Sequence, residues 1–240
     1  MFITGVVLAL ILGPMTVSNA MHIMEGYLPL NYCIMWGAIC IPFFIMGIFS
    51  IKKTVNKHRK TLLLLVMMGA YVFVLSALKI PSVTGSSSHM TGTGLGAVLF
   101  GPTAMCVLGI IVLIFQALLL AHGGLTTLGA NTFSMAIAGP FFAYGVFLIC
   151  KKLKAPKSLG IFLAASLGDL FTYCITSIQL AMAHPSEVGG FMASLQEFLT
   201  IFAITQVPLS IIEGLLAVVV IKALESYAQS ELNELGYLEV

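Results

Sequence analysis

The chain has 240 residues, of which 59% are hydrophobic and only 8% charged. An ordinary soluble domain carries about 25% charged residues, so this chain cannot cover a core with a water-soluble surface. A soluble enzyme, a nucleic-acid binder and a disordered regulator are all excluded, and a net charge of +2 is too small to recruit a polyanion. What remains is an all-α polytopic membrane bundle. At ~20 apolar residues per crossing, the length allows roughly six to eight.

Residues 2–17 form an apolar run that ends at Ser18-Asn19-Ala20. Small residues at 18 and 20 fit the pattern that signal peptidase accepts, although no Lys or Arg precedes the run. The expected leader is 1–20, cut after Ala20, with a retained helix or synthesis from Met21 as the alternatives, and the transmembrane domain is then 21–225. Apolar runs at 31–51 and 62–80 read as the first two spans. Nine of the eleven basic residues fall in two short runs: Lys52, Lys53, Lys57, Arg59 and Lys60, then Lys151, Lys152, Lys154 and Lys157. The positive-inside bias places both runs in the cytoplasm, so an even number of crossings separates them.

The stretch 93–121 supplies that parity. Gly101-Pro102 interrupts it, and proline cannot continue a helix without losing a hydrogen bond. The expected elements are a short helix 93–101 and a full one 103–121. Spans at 131–150, 159–182 and 198–222 complete seven helices. The mature N-terminus and loops 81–92, 122–130 and 183–197 then face outside. Residues 226–240 are rich in glutamate and read as a short, solvated acidic cytoplasmic tail.

Cys33, Cys40, Cys106, Cys150 and Cys174 all lie in apolar runs and form no Cys-x-x-Cys pair. They read as small apolar helix residues. Chemistry must come from the few polar groups. If the chain begins at Met21, a free α-amine stands one residue from the His22 imidazole. The amine, the His22 amide nitrogen and the His22 Nδ1 then close two adjoining chelate rings on one ion. Planar nitrogen sets favour Ni(II) and Cu(II), with Co(II) behind in affinity. A second imidazole, His89, lies in Val-Thr-Gly-Ser-Ser-Ser-His-Met-Thr-Gly-Thr-Gly at 83–94, on the same side of the membrane. A solvated linker histidine is the plain alternative there.

Other polar groups carry weaker signals. His122 opens a similar outer loop and is a candidate for the same pocket. His58 reads as solvated and His184 as a helix-end residue. Gln116, Asp169 and Glu213 lie within spans. Intramembrane acids are costly and are functional candidates by default; hydrogen bonding between helices is the plain account of these three. No Gly-x4-Gly-Lys-Ser/Thr sequence occurs, so no P-loop binds ATP.

Five segments look familiar together: Met-His-Ile-Met-Glu-Gly at 21–26, Leu-Ser-Ala-Leu-Lys-Ile-Pro-Ser-Val-Thr-Gly at 75–85, His-x-Thr-Gly-Thr-Gly-Leu-Gly at 89–96, Leu-Ala-His-Gly-Gly-Leu-Thr-Thr-Leu-Gly-Ala-Asn at 120–131, and Glu-Val-Gly-Gly-Phe at 187–191. They resemble the CbiM/NikM family, the metal-binding substrate-specific subunits of cobalt and nickel energy-coupling-factor (ECF) transporters. Ile23-Met24-Glu25 is more similar to the cobalt branch. The resemblance implies a seven-helix subunit that binds the metal through four nitrogens. These are the Met21 amine, the His22 amide nitrogen, the His22 imidazole and the His89 imidazole. Glu25, Ser88, Thr91, His122 and Asn131 are the candidates for supporting or pocket positions.

The resemblance also implies partners: a CbiQ-like transmembrane coupling subunit, CbiO-like ATPases and a small CbiN-like membrane protein. The cargo would be Co(II), or else Ni(II), and imported cobalt would supply corrinoid (cobalamin) biosynthesis. Neither an organic cofactor nor an enzymatic activity is expected. Two departures stand out. Met90 occupies a position where the family usually has proline, and twenty residues precede the Met-His pair. Two rival readings are a stand-alone channel or secondary transporter with an Asp169/Glu213 ion path, and a membrane metalloenzyme built on His-x-x-Glu.

Overall fold

The structure is a computed structural model that describes residues 22–57, 59–81 and 87–237. The expected leader, Met21 and His58 lie outside the described residues. The chain runs α1 (Leu30–Lys57), α2 (Thr61–Ala77), a two-residue ladder of β1 (Ile80–Pro81) and β2 (Ser87–Ser88), then α3 (Thr93–Phe100) and α4 (Pro102–Leu120). It continues through α5 (Leu128–Lys152), α6 (Lys157–Ala183), α7 (Gly190–Tyr227) and α8 (Gln229–Glu234). Among the described residues, five helices, α1, α4, α5, α6 and α7, are long and apolar enough to cross a membrane. The 17-residue α2 is equally apolar but shorter.

The break expected near Gly101-Pro102 is present. Gly101 takes φ 82° and ψ 156°, and Pro102 starts the next helix, where its missing N–H costs nothing. All eight residues of α3 are buried, so this helix of about 12 Å lies at the centre of the bundle. Helix α5 starts at 128 rather than 131. It passes Pro140, which has no N–H for the carbonyl four residues back, through a widened turn over Thr132–Ala138. Helix α7 starts at 190, eight residues before the apolar run suggested, because two glycines at positive φ, Gly189 and Gly190, launch it.

Two buried clusters matter for position. The larger joins Met68 and Val72 of α2, Leu95 of α3, Met105 and Val112 of α4, and Ala164 of α6. The second joins Ile23 and Leu28 to Trp36 of α1, Ala130 of α5, Tyr173 and Leu180 of α6 and Phe202 of α7. The leading segment is therefore core, and it fixes the direction of His22. Exposed apolar residues such as Ile34, Leu63, Leu118, Leu153 and Val219 form the outer surface, as expected for a lipid-facing bundle.

The tail differs from expectation. Leu232 and Tyr237 are buried in the larger cluster, and Lys157 Nζ donates to the Tyr237 carbonyl at 3.0 Å. The glutamates of 226–240 pointed to a solvated segment. The apolar spacing of Leu232, Leu235 and Tyr237 instead folds it back onto the bundle.

Candidate metal site

The segment entering α1 is pinned by the start of α5. Asn131 Oδ1 accepts from the Ile23 N–H at 2.8 Å, and Asn131 Nδ2 donates to the Ile23 carbonyl at 3.0 Å. Thr127 Oγ1 donates to the same carbonyl at 2.6 Å. Ile23 itself is buried, so both its backbone groups need these partners. The loop before α5 closes tightly over this segment. A Cβ added at Gly124 would stand 2.5 Å from the Glu25 Cα, a contact only glycine avoids.

Fixed in this way, the His22 ring points inward to His89. Its Nδ1 lies 2.7 Å from His89 Nε2, and both rings are buried. The other nitrogen of each ring is turned elsewhere. His89 Nδ1 stands 2.9 Å from the Met90 carbonyl, which only accepts, so Nδ1 carries the proton and Nε2 presents its lone pair. His22 Nε2 faces Gln116. The Gln116 amide donates to Ser76 Oγ, which donates on to the Val72 carbonyl, and the buried Gln116 oxygen and His22 Nε2 are each without a hydrogen-bond partner among the described residues. With the His22 proton on Nε2, two lone pairs converge on one point, the arrangement a cation needs; with it on Nδ1, the same contact is an N–H···N hydrogen bond between neutral rings. Imidazole nitrogens sit roughly 2.0–2.1 Å from a divalent ion such as zinc, and two such bonds at a right angle separate the nitrogens by about 2.9 Å. The observed spacing fits.

A third imidazole joins them. The His122 ring stacks on His22, with centroids 4.4 Å apart and planes at 29°, and meets His89 edge-on at 5.0 Å. One ligand nitrogen from each of the three rings lies within 4.8 Å of the others. Burial is the main force on all three. It pushes His89 down to about 4 and His122 to about 2, and holds His22 well below the usual imidazole value. The rings are neutral and ready to donate lone pairs.

The remaining candidates sort themselves by contact. Glu25 is exposed and accepts from the Thr126 N–H at 3.2 Å, so it ties two loops together outside the pocket. Ser88 Oγ lies 2.7 Å from Thr205 Oγ1 of α7. Thr91 bonds Glu213 rather than turning to the histidines. His184 caps α6 and meets the Tyr27 carbonyl at 2.9 Å. Asp169 and Glu213 have no exposed surface; Thr91 and Gly92 donate to the two Glu213 oxygens, and Gln206 donates to Asp169 Oδ2, while Asp169 Oδ1 has no hydrogen-bond partner among the described residues. All five cysteines are free. The sequence reading passed over Gln206 and Gln179, although a glutamine inside an apolar span is itself a signal.

The model of the CbiM family, "Cobalt uptake substrate-specific transmembrane region", matches residues 22–231. The chain belongs to the CbiM family. Among curated CbiM relatives, the "Cobalt transport protein CbiM" of Lachnoclostridium phytofermentans is 68% identical over 95% of this chain and 91% of that protein. The protein of the same name from Ruminiclostridium cellulolyticum is 58% identical over 91% and 88%. Two solved structures share the architecture. A crystal structure of a transition metal transporter matches with TM-score 0.74 and 28% identity, over 85% of this chain and 92% of that one. A truncated transition metal transporter matches with TM-score 0.73 and 27% identity, over 86% and 99%. This CbiM-family chain is thus a multi-pass membrane component of cobalt uptake.

Proposed function

We propose that this chain is the metal-capturing subunit of an ATP-driven ECF importer that takes Co(II) from the outer face. The convergence of His22 Nδ1 and His89 Nε2 at 2.7 Å, in a buried pocket with neutral rings, carries the reading. In it, the Met21 amine and the His22 amide nitrogen complete a planar set of four nitrogens after removal of 1–20. Stacked flat on the His22 ring, His122 directs its own lone pairs nearly parallel to that ring, so it roofs one face of the set. Nitrogen donors alone also suit Ni(II), which is the second cargo.

The chain crosses seven times, with α2 and α3 as the short crossings. Its first ligand lies outside and its C-terminus in the cytoplasm. A CbiQ-like coupling subunit, CbiO-like ATPases and a CbiN-like accessory protein complete the importer, since the chain has no P-loop. The imported cobalt feeds cobalamin synthesis.

Purified His22→Ala and His89→Ala variants are each expected to lose high-affinity Co(II) retention. Normal binding by either overturns the assignment. The mass of the protein extracted intact from membranes tests the amine ligand. A chain still carrying residues 1–20, yet binding Co(II) equally well, removes Met21 from the ligand set.

A further inference from the structure

Two acids that the capture chemistry does not use lie directly behind the His89 loop. Glu213 of α7 accepts the Thr91 N–H at 2.6 Å on one oxygen and the Gly92 N–H at 2.9 Å on the other. Thr91 Oγ1 adds a third donor at 3.1 Å. Gly92 turns through φ 69°, which brings its N–H round to the same carboxylate. Seven residues earlier on α7, Gln206 Nε2 donates to the His89 carbonyl at 3.1 Å and to Asp169 of α6. Asp169 lies against Glu213 and closes the ring of contacts.

Seven residues are about two helical turns, so Gln206 and Glu213 project from one face of α7. Together they hold residues 89, 91 and 92. Polar groups that only join helices bond to side chains or carbonyls of a neighbouring helix. These instead grip the backbone of the loop that carries a metal-directed imidazole, 117 to 122 positions away in the chain.

We propose that Glu213 and Gln206 are positioning residues. They hold His89 at the cargo ion, so that α7 sets how tightly the ion is retained. The inference rests on the metal-site reading above. His89 hangs from a loop, and a small displacement of its nitrogen breaks the alignment with His22. Fixing the loop at two points on one helix removes that freedom, and a movement of α7 relative to α1 restores it.

The test uses the full-length protein loaded with Co(II), chased with a chelator, with the Co(II) absorption spectrum and the metal-free melting temperature recorded alongside. Glu213→Gln keeps the size but turns one acceptor oxygen into an amide donor facing the loop N–H groups. It is expected to release Co(II) about tenfold faster, the scale of a buried donor left without its partner, with a changed spectrum. Gln206→Met keeps the helix and removes the donor to His89. It is expected to release roughly threefold faster, the scale of a neutral hydrogen bond, and it decides the matter if Glu213→Gln does not fold. Glu213→Asp should recover part of the loss. A lowered melting temperature with unchanged release rate and spectrum in both variants means a structural staple only, and overturns the proposal. His89→Ala separates the two failures. If it retains Co(II), the metal-site reading falls; if it loses Co(II) while both α7 variants behave as wild type, only this inference falls.

Discussion

His22 gains its direction from its neighbour. The peptide groups of Ile23 are claimed by Asn131 and Thr127, and the imidazole follows. Replacing Asn131 by Ala strands a buried N–H, at a cost of about 1–3 kcal/mol. Co(II) titration of Asn131→Ala should show affinity reduced roughly tenfold or more; an unchanged affinity would remove the tether from the site. Glu25→Gln should change affinity less than about threefold, because Glu25 is exposed and bonds outside the pocket. At this scale, His22 and His89 were readable because imidazoles are scarce, His89 stands among glycines, and His22 follows closely on the expected cut after Ala20. Asn131 was readable only through family resemblance. Gln206 was not read at all: its place in an apolar span was a signal, but its partner 117 residues away left none.

Each helix boundary has a local cause. The apolar run marked α6 within two residues, next to Pro156, whereas α1 continues past residue 51 through Lys52 and Lys53 to Lys57, because lysines are good helix formers that an apolar run does not show. The Gly101-Pro102 break was legible because both residues are punctuators, and Gly101 holds a φ/ψ pair almost reserved for glycine. Gly101→Ala should lower stability by about 1–3 kcal/mol, read as a reduced melting temperature in detergent. An unaltered melt would mean the break tolerates an ordinary residue. The early start of α7 was hidden because its first residues lack a continuous apolar run. The return of the tail was hidden by its glutamates, which outweighed three well-spaced apolar side chains.

The molecule as a whole shows a greasy circumference and a polar interior at one end. The buried larger cluster binds α2, α3, α4, α5 and α6 together, while α1 shows much of its surface. Composition alone predicted this outline, because 8% charge leaves no other solvent. The pocket was harder to foresee, since four separate stretches of chain converge on it. Reconstituted alone in vesicles, this chain should bind Co(II) without accumulating it inside, because it has no P-loop to drive uptake. Accumulation without ATPases would favour a secondary transporter.

One consequence of Ile23 lying in the same cluster as Phe202 concerns the order of biosynthesis. The segment at Ile23 meets Trp36 of α1, Ala130 of α5 and Tyr173 of α6 before Phe202 of α7 is made to close over it. The tether on His22 is available once α5 is made, whereas the hold on the His89 loop waits for α7, so a nascent chain halted before α7 has both imidazoles but only one of them anchored.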